Sequence, residues 1–557
     1  MEQALRRAIA SAVTAAVADG SLPEVTVPDF DVSAPPRPEM GDFACNVAMA
    51  LAGQAKRVPR DVAQVIIAHL PADLPLDRAE VAGPGFINLF LSVRWLHEAL
   101  RQCLTEEGQY GSSDAGAGER VQVEFVSANP VGPLHIGNAR GGPYGDVLAS
   151  LLQFTGHTVE REYYVNDARD NTQLQTFGRS LRLRYLELLG QEVELFEEMY
   201  RGEYVLDYAR AILDEHGDSL RDTPDDAEGW VRFADLILPT VLRSVREDLE
   251  AFGIHFDVWF SERSLHDSGA VREEVDRLLA MGAAYENDGA IWLRTQEHGD
   301  EEDRVLVRRD GAPTYIASDA AYARNKFARG FDRAIYVLGP DHAGYVARMK
   351  AAVEAIGIEL DRVEIAVSQI VRLVRGGEPV RLSKRKGQVV TLRDLLEEVG
   401  TDAARFHFLT RALESHMDFD LDLATRQANE NPVYYVQYAH TRTCGVLRKA
   451  ESDGAHMPPP GEASLELLTH PDELALLRKI ADFPGEVEQA ASMRAPHRLT
   501  HFARELAALF HQFYTTCRVV DAEQPALTGA RLSLVRGAQA VLSTICRLLG
   551  IAAPETM

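Results

Sequence analysis

Val121-Gln-Val-Glu-Phe-Val-Ser127, continued by Ala128-Asn-Pro-Val-Gly-Pro-Leu-His135-Ile-Gly-Asn138-Ala-Arg-Gly-Gly142, is the stretch from which the rest of the chain can be read. Its first seven residues are β-branched and aromatic enough to predict a buried strand. Prolines and glycines then break the run into a turn. From Asp146 the apolar positions Val147, Leu148, Leu151, Leu152 and Phe154 recur at helical spacing, which predicts a helix there. A strand, a tight turn and a helix start form a place for an anion, because unpaired helical N–H groups and the macrodipole favour negative charge. In that turn the His135 imidazole can donate to a phosphate oxygen, and Gly137 lets a flat base approach the backbone.

Outward from this stretch, strands alternate with helices from Arg120 onward, which predicts an α/β unit with a parallel sheet. Residues 190–237 read as a long, acidic, helical insertion. Ala290–Arg294 and Arg304–Arg309 read as strands, the second ending in an Asp310-Gly311 turn. Tyr315-Ile-Ala-Ser-Asp319 begins extended and is expected to turn helical near Ser318, with Asp319 at a helix start. Arg333-Ala-Ile-Tyr-Val-Leu is a further strand. Gly339-Pro-Asp341-His342 follows at its carboxyl end, where open α/β sheets bind ligands. Asp341 either touches substrate or ribose there or caps the next helix. Between Arg372 and Arg393 the chain gathers Arg372, Arg375, Arg381, Lys384, Arg385, Lys386 and Arg393.

The flanks differ in kind. Before the Gly-rich linker 111–118 lies a small α+β unit containing Gly85-Phe86-Ile-Asn88. Past Asn431 the chain is helical, with Leu499, Phe502, Ala503, Leu506, Leu509, Phe510 and Phe513 on one stripe. The expected domains are 1–112, 119–430 with a helical insertion around 185–245, and 431–557. With 557 residues, 46% hydrophobic and 25% charged, the composition is that of a soluble, multidomain protein. Met1–Ala18 reads as an amphipathic helix with Leu5, Ile9, Val13 and Val17 on one face, not as a secretory leader. No apolar run of 18 residues predicts a membrane span. Five scattered cysteines without a Cys-x-x-Cys pair predict neither a zinc ribbon nor a disulfide framework, and point to a reducing cytoplasm. A net charge of −26 argues against a general nucleic-acid binder, though a local basic patch can coexist with it.

His135-Ile-Gly-Asn138 resembles the HIGH signature of class I aminoacyl-tRNA synthetases, with Asn138 in place of the second histidine. The longer block Glu124-Phe-Val-Ser-Ala-Asn129-Pro…His135-Ile-Gly-Asn138 is similar to the arginyl-tRNA synthetase version of it. Arg381-Leu-Ser383-Lys384-Arg385 resembles the KMSKS loop, with Arg381, Leu382 and Arg385 departing from it. The resemblance implies a Rossmann-like catalytic domain, an N-terminal appended domain and a C-terminal helical anticodon-binding bundle. It implies ATP sites at His135, Gly137, Asn138, Gly339, His342, Ser383 and Lys384, of which His135, Asn138, Ser383 and Lys384 are catalytic. Arginine would meet Glu124, Asn129, Tyr315, Asp319 and Asp341, since a guanidinium requires carboxylates and a flat surface. tRNA would meet Phe86, Asn88, Tyr435 and Tyr438, in a stretch that also holds Tyr434, His440 and Arg442. Each of those aromatic residues reads equally well as core. The implied partners are arginine, tRNA(Arg) and ATP carrying magnesium, with no zinc and no membrane, in a monomer. Two rivals stay open: a small-molecule adenylyltransferase, and a catalytically silent tRNA-binding paralogue.

Overall fold

A computed structural model describes residues 2–33, 35–194, 196–380 and 390–557. Among the described residues, the N-terminal unit is a four-stranded antiparallel sheet ordered Val32–Ser33, Phe43–Cys45, Phe86–Leu91, Leu76–Ala82. The helix Glu2–Ala18 covers it, burying Leu5, Ile9 and Val13 as its periodicity predicts. These residues and Val47, Leu51, Val62, Ile66, Ile87 and Leu89 form a core of their own. The helix Val93–Glu106 falls within the expected first unit, yet it packs on the C-terminal helices and joins their core through Leu96 and Leu100.

The central unit is built, among the described residues, on five parallel strands: β1 Arg120–Phe125, β2 Thr158–Val165, β3 Val258–Ser261, β4 Arg333–Leu338 and β5 Val363–Val367. Their order, β3-β2-β1-β4-β5, reverses direction beside β1, so a crevice opens at the carboxyl ends of β1 and β4. Helix α1 (Gly141–Phe154) links β1 to β2. The insertion between β2 and β3 is helical: α2 Thr172–Leu188, α3 Glu203–His216 and α4 Ala227–Ala251. Then come α5 (Glu262–Asp267), a small antiparallel sheet including Ala290–Leu293 and Arg304–Val307, and α6 (Tyr315–Ala328).

Two helix starts differ from expectation. The first begins with a short turn at Ile136–Ala139 and continues from Gly141, not Asp146. Gly142 and Gly145 sit inside it because a Cβ there would meet Ile254 and Phe125 at 2.7 and 2.3 Å, so close packing, not turn formation, explains those glycines. Helix α6 starts at Tyr315, not Ser318. Asp319 therefore stands in the second turn, out of reach of the terminal N–H groups, and the helix-start reading of its charge falls away.

The C-terminal helices are α7 Pro432–Ser452, α8 Pro471–Ser492, α9 His497–Thr516 and α10 Pro525–Leu549. By length and composition α10 is apolar enough to cross a membrane, contrary to the sequence reading, but it is mostly buried at the centre of this bundle. One apolar cluster runs from Val121 and Leu148 through Phe406 to Val436, Leu506 and Leu549, so sheet and bundle share a core. Arg405, fully buried, ties the two: it donates to the carbonyls of Leu549 (2.9 Å), Phe252 (3.0 Å) and Gly253 (3.2 Å) and to Asp146 Oδ2 (2.5 Å).

Candidate active site

At the end of β1 the backbone turns sharply, with Val126 and Ser127 both left-handed (φ 69° and 38°). A β-branched residue rarely adopts that region, and such strain costs about 1–3 kcal/mol per residue. The kink swings the Ser127 hydroxyl back to donate to Glu124 Oε1 (3.2 Å) and to accept from the Tyr164 N–H (3.1 Å). Asn166 fixes the same kink by donating to the Ser127 carbonyl (2.9 Å). Asn129, two residues on, accepts from Asn171 (3.3 Å), which also caps α2.

Helix α6 lies over this strand end. Tyr315, Asp319, Tyr322 and Lys326 fall at i, i+4, i+7 and i+11 and share one face. They descend from the rim, where Tyr315 is 50% exposed, to the floor, where Lys326 has no exposure. Asp319 accepts from the Tyr345 hydroxyl. Glu124 instead accepts from the Lys326 ammonium (2.6 Å), so its charge is already matched inside the protein. That pairing is invisible in the chain, where Lys326 looks like an ordinary helical lysine. A second acid also escaped the sequence reading. Glu262, at the first position of α5, is buried among Asp167, Asp170 and Asp319, and burial with those charges raises its pKa to about 8. Asp319 is raised to about 6, chiefly by burial, with the Glu124 charge adding and the Tyr345 bond and Lys326 opposing. The buried hydroxyl of Tyr164, which feels Glu262, Asp319 and Glu124, has no hydrogen-bond partner among the described residues. Two acids held above the usual carboxylate range beside an unsatisfied buried hydroxyl are suited to a cation with several donors.

The other half of the crevice is open. His135, Gly137, Asp341 and His342 are exposed, Asn138 and Gly339 half-buried. His135 caps the short helix Ile136–Ala139: its Nδ1 accepts the Gly137 N–H (3.1 Å), which leaves the proton on Nε2 as a donor. Desolvation lowers the His135 pKa while the Asp341 charge opposes, so the neutral imidazole is the donor at neutral pH. Gly339 opens the turn Pro340–Tyr345, which carries Asp341 and His342 to the same mouth.

Ser383 and Lys384 lie outside the described residues. The flanks of their segment are described: Leu392 N–H bonds to Leu134 O (2.8 Å) and Ile136 N–H to Val390 O (3.2 Å), on either side of His135. Three of the arginines counted in the basic stretch are neutralised locally, Arg372 by Asp418, Arg375 by Glu398 and Arg393 by Asp248.

Away from the crevice, Phe86 is 39% exposed on its strand, while Asn88, two residues on, is 7% exposed. The ring, not the amide, is open to a partner. Tyr434 and Tyr438 stack on α7, and Arg442 lies over Tyr438 and Tyr514 while meeting His511 of α9 (3.2 Å). Tyr435 is half-buried against the same His511. His440 does not belong to this group: it is buried and bonded to the Pro554 carbonyl (2.9 Å).

The family model for the class I (R) tRNA synthetase catalytic domain matches residues 99–413, and sheet, crevice and match define a class I aminoacyl-tRNA synthetase. The arginyl-tRNA synthetase N-terminal domain matches 3–91 and the DALR anticodon-binding domain 436–557. Proteins named arginine–tRNA ligase from Moorella thermoacetica and Desulforamulus reducens are 49% and 46% identical, each over 100% of this chain and 99% of their own. A Thermus thermophilus arginyl-tRNA synthetase structure shares the fold at a TM-score of 0.75 and 23% identity, covering all of both chains. The chain belongs to the arginyl-tRNA synthetase family.

Proposed function

We propose that this ligase seats the arginine guanidinium in the hollow between α5 and α6, against Asp319 and Glu262, with Tyr164 and Tyr315 lining its path. The observation that carries the reading is the pair of raised carboxylates beside an unpartnered, buried hydroxyl at the carboxyl ends of β1 and β2. Glu124 and Asn129 stand nearer the strand end, suited to the substrate's α-amino and carboxylate groups. The α-carboxylate, held between this hollow and the His135 turn, attacks the α-phosphate of ATP. Arginyl-adenylate forms and pyrophosphate leaves, and the arginyl group then passes to the terminal ribose of the tRNA.

The chemistry needs no protein nucleophile, so positioning and charge stabilisation do the catalysis. His135 Nε2–H and the Asn138 amide donate to phosphate oxygens, Gly137 and Gly339 admit the nucleoside, and Asp341 and His342 hold its edge. Ser383 and Lys384 meet the departing pyrophosphate from a segment whose downstream flank is bonded on both sides of His135. Magnesium enters as part of the ATP complex. Phe86 on the N-terminal unit and the Tyr434, Tyr435, Tyr438, Arg442 and Tyr514 group on the bundle offer stacking surfaces for unpaired bases. The domains of this reading are an appended unit closing near Leu91, the catalytic unit, and the helices after Asn431. A cytoplasmic monomer completes the proposal.

The test is arginine-dependent exchange of pyrophosphate into ATP, with and without tRNA, followed by charging of tRNA. Exchange restricted to another amino acid, or none with tRNA present, rejects the reading.

A further inference from the structure

The helical insertion between β2 and β3 supplies no group to the chemistry derived above, yet it reaches the His135 turn by two routes. Tyr204 of α3 stands where a side chain at Gly132 would go, since a Cβ there would lie 2.6 Å from its ring. The second route is ionic. Asp248 of α4, 3% exposed, accepts through Oδ1 from Nε (2.8 Å) and Nη2 (2.5 Å) of Arg393, 145 positions away. It lies in the last turn of α4, which holds no basic residue of its own, so burial and the helix dipole both work against its charge. Glu247 and Asp394 press the same way, and Arg393 opposes them. Arg393 is the second residue of the helix Leu392–Val399, whose start is locked by a reciprocal cap between Thr391 and Asp394. The residues just before it pair antiparallel with the nucleotide turn, His135 opposite Thr391. The bonds run from Leu392 N–H to Leu134 O (2.8 Å) and from Ile136 N–H to Val390 O (3.2 Å).

We propose that Asp248 is a positioning residue for the nucleotide half of the reaction: by holding Arg393 it keeps 390–392 against 134–136, and so sets where the His135 Nε2–H points. The inference rests on the reading of His135 as a phosphate donor. Asp248 touches no substrate, and its effect passes through one ion pair and one backbone bridge. A donor to a developing charge acts through its placement, so a small shift of the turn weakens the contact to the reacting phosphate. The proposed guanidinium partners hang from α5 and α6 instead, and a loosened bridge leaves them where they are. The insertion thus becomes a brace of the nucleotide turn, with α3 filling the space beside Gly132 and α4 anchoring the strip that flanks His135.

The split between the two substrates decides the matter. Arginine KM and kcat/KM for ATP are measured by pyrophosphate exchange, tRNA present, for Asp248→Asn, Arg393→Gln, Arg393→Lys and the double variant Asp248→Asn with Arg393→Gln. Asp248→Asn and Arg393→Gln each lower kcat/KM for ATP about tenfold with the arginine KM unchanged, and the double variant is no worse than the poorer single. Arg393→Lys recovers most of the loss, because an ammonium still pairs with Asp248. An arginine KM that rises in step with the ATP defect marks general distortion and overturns the proposal. So does a kcat/KM for ATP within about twofold of the unaltered protein, or losses that multiply in the double variant. Should Asp248→Asn fail to fold, Arg393→Gln against Arg393→Lys still decides, because the Arg393 side chain is 53% exposed and fills no core position. Failure of the His135 reading is recognised separately, by a kcat/KM for ATP indifferent to His135→Ala in the otherwise unaltered protein.

Discussion

The two halves of the crevice are built on opposite plans. On the proposed amino-acid side, Glu124, Glu262 and Lys326 are buried and Asp319 half-buried, their charges count against one another, and two carboxylates are pushed to about 6 and about 8. On the proposed nucleotide side, His135, Gly137, Asp341 and His342 are exposed, and the turn is shaped by backbone bonds and a capping imidazole. A pocket that must tell arginine from its neutral isostere gains from a low-dielectric setting, where an unmatched charge is expensive. A site for a triphosphate that must enter, react and leave as pyrophosphate gains from access and from donors that can move with it.

The largest effect expected on this contrast comes from Asp319→Asn, which removes charge while keeping shape. A buried charge left without its partner costs about 3–5 kcal/mol, so arginine binds at least about a hundredfold worse, and ATP almost as before. Competition between arginine and citrulline for adenylate formation measures it; an unchanged preference would move specificity away from Asp319. Next in size, Lys384→Ala tests the open side. Losing one charge-assisted contact to the leaving group is expected to cost about 2.7–4 kcal/mol of barrier, with the arginine KM unchanged. Stopped-flow adenylation reads it.

A smaller effect separates the halves by pH. A guanidinium favours ionised carboxylates, so binding drives protons off Asp319 and Glu262, and arginine affinity rises as pH climbs through about 6 towards about 8. If the neutral His135 is the ATP donor proposed above, ATP affinity stays comparatively level there. Calorimetry at pH 7 in buffers of different ionisation heat reports the released protons; identical heats argue for pre-ionised acids. Smallest is Asn138→His. Both side chains donate to phosphate, so activity is expected to stay within about tenfold. Complete loss would give the asparagine a separate task.

Much of this was legible in the chain itself. Alternation of strand and helix around β1 and β4, and the residues between Glu124 and Asn138, sufficed for the parallel sheet and for the class of site. What sequence could not show are contacts set by register and burial. Lys326 and Glu124 are 202 positions apart and meet because β1, β2 and β4 align Tyr336, Glu124 and Glu162 in one row. Glu262 sits in an unremarkable Ser-Glu-Arg-Ser, and only the fold sets it beside Asp319. Val126 and Ser127 look like the end of a strand, yet tertiary bonds from Tyr164 and Asn166 hold the kink. The helix after this turn, read from Asp146, starts at Gly141, because Gly142 and Gly145 serve packing against Ile254 and Phe125 inside it.

The apolar cluster that passes unbroken from β1 into α10 bears on how such a protein can be recombined. A chimera spliced at Asn431 would import foreign helices against Phe406 and Leu148, and would have to rebuild the Arg405 bond to Leu549 and the Arg494 pair with Glu364 (2.8 Å) on β5. The first ninety residues, closed around Ile9, Leu51 and Ile87, keep a core of their own and meet the bundle through the polar pair of Arg478 with Asp42, which is easier to rebuild than a shared core. Modular exchange is therefore open at the amino end and closed at the carboxyl end. A lineage can swap its appended unit by a single crossover, whereas its anticodon helices must co-evolve with the sheet they are packed into.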